Sequence, residues 1–274
     1  MGKLKALDDK LNLANKRIIL RLDLNVPLKK GQVIDESRIK KVVPVIKEFI
    51  SKKAKLILIS HLGRPKGKID KKLSLKPLAP ILQNLLNSKV YFANESYGPK
   101  TVDISNKIKS GEVLLLENIR FNKQEEENEE FFAKELAKNG DIYVNEAFSS
   151  SHRAHASVCE ITKHIDSYAG KLLSAEVNVI NMLTNKATKP VSCIIGGSKI
   201  STKIGILTSL VKKMQNIVIV GAMANNFIKY KGYNIGKSLF EINQDNLLKD
   251  IIEKSEKNNC KLIMPEDVIV AKNY

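Results

Sequence analysis

The chain has 274 residues, 46 Lys+Arg against 29 Asp+Glu for a formal charge of +17, 43% hydrophobic residues, three Cys and no Trp. That length suits two domains, and the apolar fraction excludes a disordered or collagen-like chain. Three cysteines far apart (Cys159, Cys193, Cys260) make no disulfide framework, and no apolar run reaches the ~20 residues that span a bilayer.

Short apolar runs rich in β-formers alternate with amphipathic helical stretches. In chain order the expected strands are 17–24, 55–62, 90–93, 113–118 and 141–148, then 191–197, 216–222 and 261–265. The stretch 37–53 reads as a helix with Ile39, Val42, Val43, Ile46 and Ile50 on one face. Ser74 is placed to cap a helix over 74–87, and Gly140 to end one around 129–139. Within the acidic run 124–130, the carboxylates are expected to be solvated in the first turns of that helix, where they suit its dipole. Continuous apolar strands alternating with helices indicate parallel sheets covered on both faces, the doubly wound α/β class. Residues 170–190 form one long helical pattern with no strand before it, read as a linker. The expected layout is therefore two doubly wound parallel-sheet domains, 1–168 and 189–274, joined by a linker helix over 169–188. Only three strand–helix units fit in the second.

The basic residues divide into two populations. Arg occurs only at 17, 21, 38, 64, 120 and 153; all the other basic residues are Lys, scattered among acids like a solvated surface. With 5% aromatics and no RNA- or DNA-binding motif, nucleic acid is not an expected partner. A retained Arg, by contrast, suits a site that needs a planar fork for phosphate or carboxylate. Asp23 and Asn25 follow the first strand, His61 and Arg64 the second, Arg120 the fourth, and His152 and Arg153 the fifth. Ligands of open parallel sheets bind beyond the carboxyl ends of the strands. A single Arg there would simply pair with a surface carboxylate; three, with Arg38 at the start of the first long helix, indicate an anion site.

A second region, 194–205, runs from a strand through Gly196-Gly197 into a helix carrying Lys199 and Lys203 four apart on one face. It reads equally as a phosphate turn with free helix N–H groups or as a tight turn with exposed Lys. It is not a Walker A loop. His152, His155 and Cys159 make a poor zinc set, since Arg153 sits among them and a fourth ligand is missing. The N-terminus has no apolar secretion core, and Ala6 argues against myristoylation of Gly2, so the expected address is cytoplasmic.

Together RLDLNVP (21–27), DESRI (35–39), SHLGRP (60–65), LLENIRF (115–121), NEAFSSSHRAHAS (145–157), GGSKISTKIG (196–205), GAMAN (221–225), IGKSL (235–239) and MPEDVIVA (264–271) resemble phosphoglycerate kinases, in family order and along the whole chain. The resemblance implies a glycolytic kinase that reversibly transfers the ATP γ-phosphoryl group to 3-phosphoglycerate, making 1,3-bisphosphoglycerate and ADP, with Mg²⁺. It assigns the substrate to Asp23, Leu24, Asn25, Arg38, His61, Leu62, Gly63, Arg64, Arg120 and Arg153. It assigns the nucleotide to Gly196, Gly197, Lys199, Lys203 and Gly221, with Arg38, Lys199 and Lys203 as catalytic charges brought together by domain closure. A monomer is implied. The family's second domain continues past Tyr274 with a further glycine-rich turn and acidic residues for ribose and Mg²⁺, so the resemblance implies a C-terminally truncated copy. Mg²⁺ would then be held through the nucleotide and through residues this sequence lacks. Val220 replaces a common glycine and is expected to crowd the nucleotide. The alternative is an inactive remnant that still binds small phosphorylated anions.

Overall fold

Strand residues of the first half alternate between two cores, which is what a sheet covered on both faces requires. The computed structural model describes residues 4–8, 10–29, 31–185, 188–269 and 271. Gly2, positions 186 and 187 of the linker pattern, Val270 of the 264–271 motif and the last three residues of the second-domain range lie outside the described residues. The chain divides into two compact units, Met1–Val179 and Ile180–Tyr274.

The first unit runs β1 (Arg17–Arg21), a β2–β3 hairpin (Leu28–Lys29, Gln32–Val33), α1 (Ser37–Ser51), β4 (Lys55–Ile59), α2 (Leu78–Leu86), β5 (Val90–Phe92) and α3 (Pro99–Lys107). It continues with β6 (Val113–Leu115), α4 (Lys123–Glu126), α5 (Glu130–Ala137), β7 (Ile142–Asn145), β8 (Ser167–Ala169) and the start of α6 (Lys171–Asn185). Six strands form one parallel sheet in the order β5-β6-β4-β1-β7-β8. Ile18, Leu20, Leu56, Leu58 and Val144 share one core with Ile39, Ile46 and Phe49 of α1 and Leu82 of α2. Ile19, Ile57, Ile59, Leu114 and Tyr143 share the other with Phe132 and Leu136 of α5.

Every central strand is shorter than the apolar run that announced it. Leu22, Leu24, Leu62 and Leu116 lie beyond the ladders and are still 0–2% exposed. The runs report burial, and burial extends past the strands into the loops of the carboxyl edge. β8 corrects the expectation that no strand precedes the linker. It adds a parallel edge strand beside β7, with Ser167 opposite Tyr143 and Ala169 opposite Asn145. Three residues on an edge are too few to show a period. Ser74 does not cap α2, because Pro77 stands at the helix start; its hydroxyl binds Glu117 (2.6 Å) and accepts from the Lys76 N–H.

The second unit contains β9 (Ser192–Gly196), α7 (Ile204–Leu210), β10 (Asn216–Val220), α8 (Ala222–Tyr230), α9 (Asp245–Lys257) and β11 (Lys261–Ile263). The sheet is parallel, in the order β11-β10-β9. Two helices rather than one separate β10 from β11, so the pattern of three repeated strand–helix units does not hold. Cys193, Ile195, Ile217 and Ile219 face a single core filled by Leu207, Phe227, Leu248 and Ile251. Ile194, which alternates with them, is 73% exposed. No helix among the described residues is long and apolar enough to cross a membrane.

Candidate functional site

The carboxyl edge of the first sheet gathers charge that elsewhere would stay in water. At the end of β1, Arg21 is fully buried. Its Nη1 donates to the Leu22 carbonyl (2.6 Å), its Nε to the Ser157 Oγ (3.1 Å), and its Nη2 faces His61 Nδ1 at 3.3 Å. His61, just past β4, is 7% exposed. Burial, reinforced by Arg21 and Arg120 and by Arg153, drives its pKa down to about 3, against the pull of Asp23. The ring is therefore neutral at physiological pH.

Arg120 sits in a 3-10 turn, Ile119–Phe121, after β6, held by the Asn118 side chain, which accepts from the Arg120 N–H. Only 2% of it is exposed. Nη1 donates to the Gly63 carbonyl at 3.0 Å, while Nε, 3.5 Å from Glu126, and Nη2 have no hydrogen-bond partner. Burial, then Arg153, lowers its pKa, and Glu126 opposes them. Half-buried Arg153 donates from Nε to His152 Nε2 at 3.2 Å. Three guanidinium groups and a neutral imidazole thus act on one another, and Arg120 has donors to spare.

Asp23 and Arg38 form the adjoining part of the rim. The Arg38 guanidinium donates to Asp23 at 2.5 Å, Ser149 donates to the same oxygen at 2.6 Å, and the Asn25 N–H reaches the other oxygen. Burial pushes the Asp23 pKa up, but these bonds and the Arg38 charge outweigh it and hold the carboxyl below its usual range. A cavity of about 300 Å³ opens here, lined also by Lys41 and Glu176. Asn25 Oδ1 accepts from the Gly63 N–H at 2.8 Å, which joins the two parts. Gly63 lies at φ +61°, and a Cβ there would meet Leu73 at 2.8 Å, so the turn requires glycine.

Of the remaining expected substrate residues, Leu24 and Leu62 bury their side chains in the core. Their backbone is committed as well: Leu24 N–H donates to Ser60, and Leu62 exchanges two hydrogen bonds with the Asn118 amide. Arg64 is exposed on the loop after β4, with no ion pair among the described residues.

The acidic run is not uniformly solvated, which corrects the expectation for 124–130. Glu129 accepts from Phe131 and Phe132 N–H and caps α5, as its charge would suit. Glu125, however, is fully buried and accepts from both the N–H (2.9 Å) and the hydroxyl (2.7 Å) of Ser157. Sequence reasoning missed Arg21, Ser157, Ser149 and Glu125. Only Arg21 carried a signal, a charge inside an otherwise apolar run.

In the second unit the carboxyl ends of β9 and β10 lie side by side, Gly196 opposite Val220. A Cβ on Gly196 would meet Val220 Cγ2 at 2.8 Å, and the Met223 N–H donates to the Gly197 carbonyl at 2.8 Å. Gly221, at φ +66°, begins the turn into α8. Lys199 and Lys203 do not share a helical face. Lys199 lies in an exposed loop, a 3-10 turn spans Ser201–Lys203, and α7 starts only at Ile204. Four residues share a face only within an α-helix, and here a loop and a 3-10 turn stand in its place. The Glu241 carboxylate takes both the N–H (3.0 Å) and the hydroxyl (2.5 Å) of Ser201, so that N–H is not free for an anion. No group of three or more His, Cys, Asp or Glu among the described residues is arranged to hold a metal ion.

Comparison with known proteins places these features in a family. A family model described as phosphoglycerate kinase matches residues 8–274. A phosphoglycerate kinase of Wolbachia pipientis wMel is 47% identical over 262 residues, covering 96% of this chain and 66% of that protein. One from Sinorhizobium fredii is 44% identical over 270 residues, covering 98% and 68%. Among solved structures, the phosphoglycerate kinase of Coxiella burnetii superposes with a TM-score of 0.83 at 38% identity, covering 96% of this chain and 66% of that one. The chain spans about two-thirds of the length of these relatives.

Proposed function

The chain belongs to the phosphoglycerate kinase family, and from that premise we propose that it serves the reversible transfer of the ATP γ-phosphoryl group to the carboxylate of 3-phosphoglycerate. The observation that carries the substrate half is Arg120, almost fully buried with two guanidinium nitrogens that make no hydrogen bond, one of them only 3.5 Å from Glu126. A buried cation left short of acceptors is costly unless an anion completes it. In this reading His61, Arg120 and Arg153 hold the phosphorylated acid, with Asp23, Asn25 and Arg64 at its edge and Arg21 buried behind His61. Arg38 offers charge to the acceptor carboxylate.

The acceptor is already ionised at neutral pH, so no general base is needed, and catalysis reduces to in-line positioning and neutralisation of charge. Lys199 and Lys203 neutralise nucleotide phosphates, and Gly196, Gly197 and Gly221 let them approach the backbone. Mg²⁺ in this reading travels on the nucleotide phosphates, since the described residues form no acidic cage of their own. A cytosolic monomer suits the reaction.

Binding of 3-phosphoglycerate to the wild type, Arg38→Ala and Arg153→Ala, measured by calorimetry, tests the site. At least a tenfold loss is expected in each variant, and unchanged affinity in both would overturn the assignment. A coupled assay of ATP-dependent phosphorylation tests the activity. Binding without turnover would reduce the function to capture of small phosphorylated anions.

A further inference from the structure

We propose that Glu125, Ser157 and Arg21 form a positioning chain that holds His61 as the Nε2–H tautomer, so that the ring presents a hydrogen-bond donor to the phosphorylated acid. The tautomer follows from which groups can donate. A guanidinium has no acceptor, so where Arg21 Nη2 meets His61 Nδ1 at 3.3 Å the imidazole nitrogen must carry the lone pair. The proton of the neutral ring then resides on Nε2, which makes no hydrogen bond among the described residues. Burial beside three arginines keeps the ring from taking a second proton.

Donor chemistry fixes the next link in the same way. Arg21 Nε can only donate to the Ser157 hydroxyl, so that hydroxyl must give its own proton to an acceptor. Glu125 Oε1 stands 2.7 Å away, and its other oxygen takes the Ser157 N–H at 2.9 Å. Arg21, Ser157 and Glu125 are all fully buried, so water offers no substitute partners. His155 Nδ1, 3.7 Å from Glu125, is too far to complete a hydrogen bond. A fully buried carboxylate thus fixes one arginine through Ser157, and that arginine fixes one imidazole. The opposite tautomer would turn a bare lone pair towards the incoming anion.

The donor's recipient rests on the substrate reading given above; the tautomer does not. Two-bond ¹H–¹⁵N correlation spectra of the whole chain, without ligand at pH 7, read the tautomer directly, with His61→Gln assigning the signal among four histidines. The expected result is a protonated Nε2 and a bare Nδ1. Ser157→Ala and Glu125→Gln should mix the tautomers and weaken 3-phosphoglycerate binding about tenfold, the scale of one hydrogen bond to a charged group. Ser157→Thr, which keeps the hydroxyl, should restore the wild-type spectrum. An Nδ1–H ring in the wild type overturns the proposal even if the variants fail to fold, as does an unchanged His61 spectrum in both folded variants. An Nε2–H ring in a protein that ignores 3-phosphoglycerate would uphold the chain and remove its substrate.

Discussion

The two units carry their anion-binding candidates in opposite physical states. In the first, Arg21, His61 and Arg120 are buried in the loops of a doubly covered sheet. Arg21, Arg120, Arg38 and Asp23 are each oriented by at least one fixed partner, while Arg64 stays exposed. In the second, Lys199 lies on an exposed loop after a short sheet, and the neighbouring Ser201 N–H is already occupied by Glu241. Burial makes the first site rigid, because misplacing a charge away from water leaves it unsatisfied. Exposure leaves the second adaptable, because solvent accepts any arrangement. One sequence therefore holds a tightly oriented charge cluster in one unit and a loosely organised glycine turn in the other.

The contrast is sharpest in the cores. Leu20→Ala, at a site with no exposure, is expected to destabilise the first unit by about 2–5 kcal/mol, while Ile194→Ala, at 73% exposure, should stay within about 0.5 kcal/mol. Denaturant titration followed by probes in each unit separates the two. Comparable losses would mean that Ile194 is covered in solution.

A smaller effect is expected at Gly170, where a Cβ would lie 2.1 Å from the Glu146 carboxyl group that accepts the N–H groups of Lys171 and Leu172 at the start of α6. Gly170→Ala should cost about 1–3 kcal/mol, read as a lowered unfolding midpoint. An unchanged midpoint would show that the carboxylate can step aside.

Acid should act on the first unit through His61. Its pKa is about 3 in the fold against 6.5 ordinarily, so between those values the unfolded chain binds the extra proton. The stability from this ring is complete above pH 6.5 and drains away as pH falls towards 3, by about 2 kcal/mol at pH 5. His61→Gln should flatten that limb of a stability–pH curve, and a curve of unchanged shape would contradict it. Smallest is Gly205→Ala in α7, where a Cβ meets nothing within 4 Å. A gain of about 0.5–1 kcal/mol is expected from helix propensity, opposite in sign to Gly170→Ala. A loss by thermal melting would show that the turn before α7 needs its freedom.

How much was legible varied with the kind of residue. The alternation of strands and helices, and the Arg at strand ends, were readable because periodicity and strand edges are local. Glu125 was not, since nothing in a run of glutamates marks the one that turns inward beneath Ser157. Arg21 was half legible, a charge in an apolar strand whose partners lie 40 and 136 residues away. The spacing of Lys199 and Lys203 misled, because four residues share a face only if a helix is already present. Glu241 ties Ser201 from 40 residues downstream, where no local rule looks.

By itself the sequence determined the fold class and the family and put arginines just past the strand ends, all of which follow from local pattern and motif. The tertiary structure alone decided which charges are buried and which partners orient them: Glu125 behind Ser157, Ser157 behind Arg21, and Arg21 against His61. Orientation in a dry interior depends on acceptors contributed by distant segments, and only folding brings those segments together.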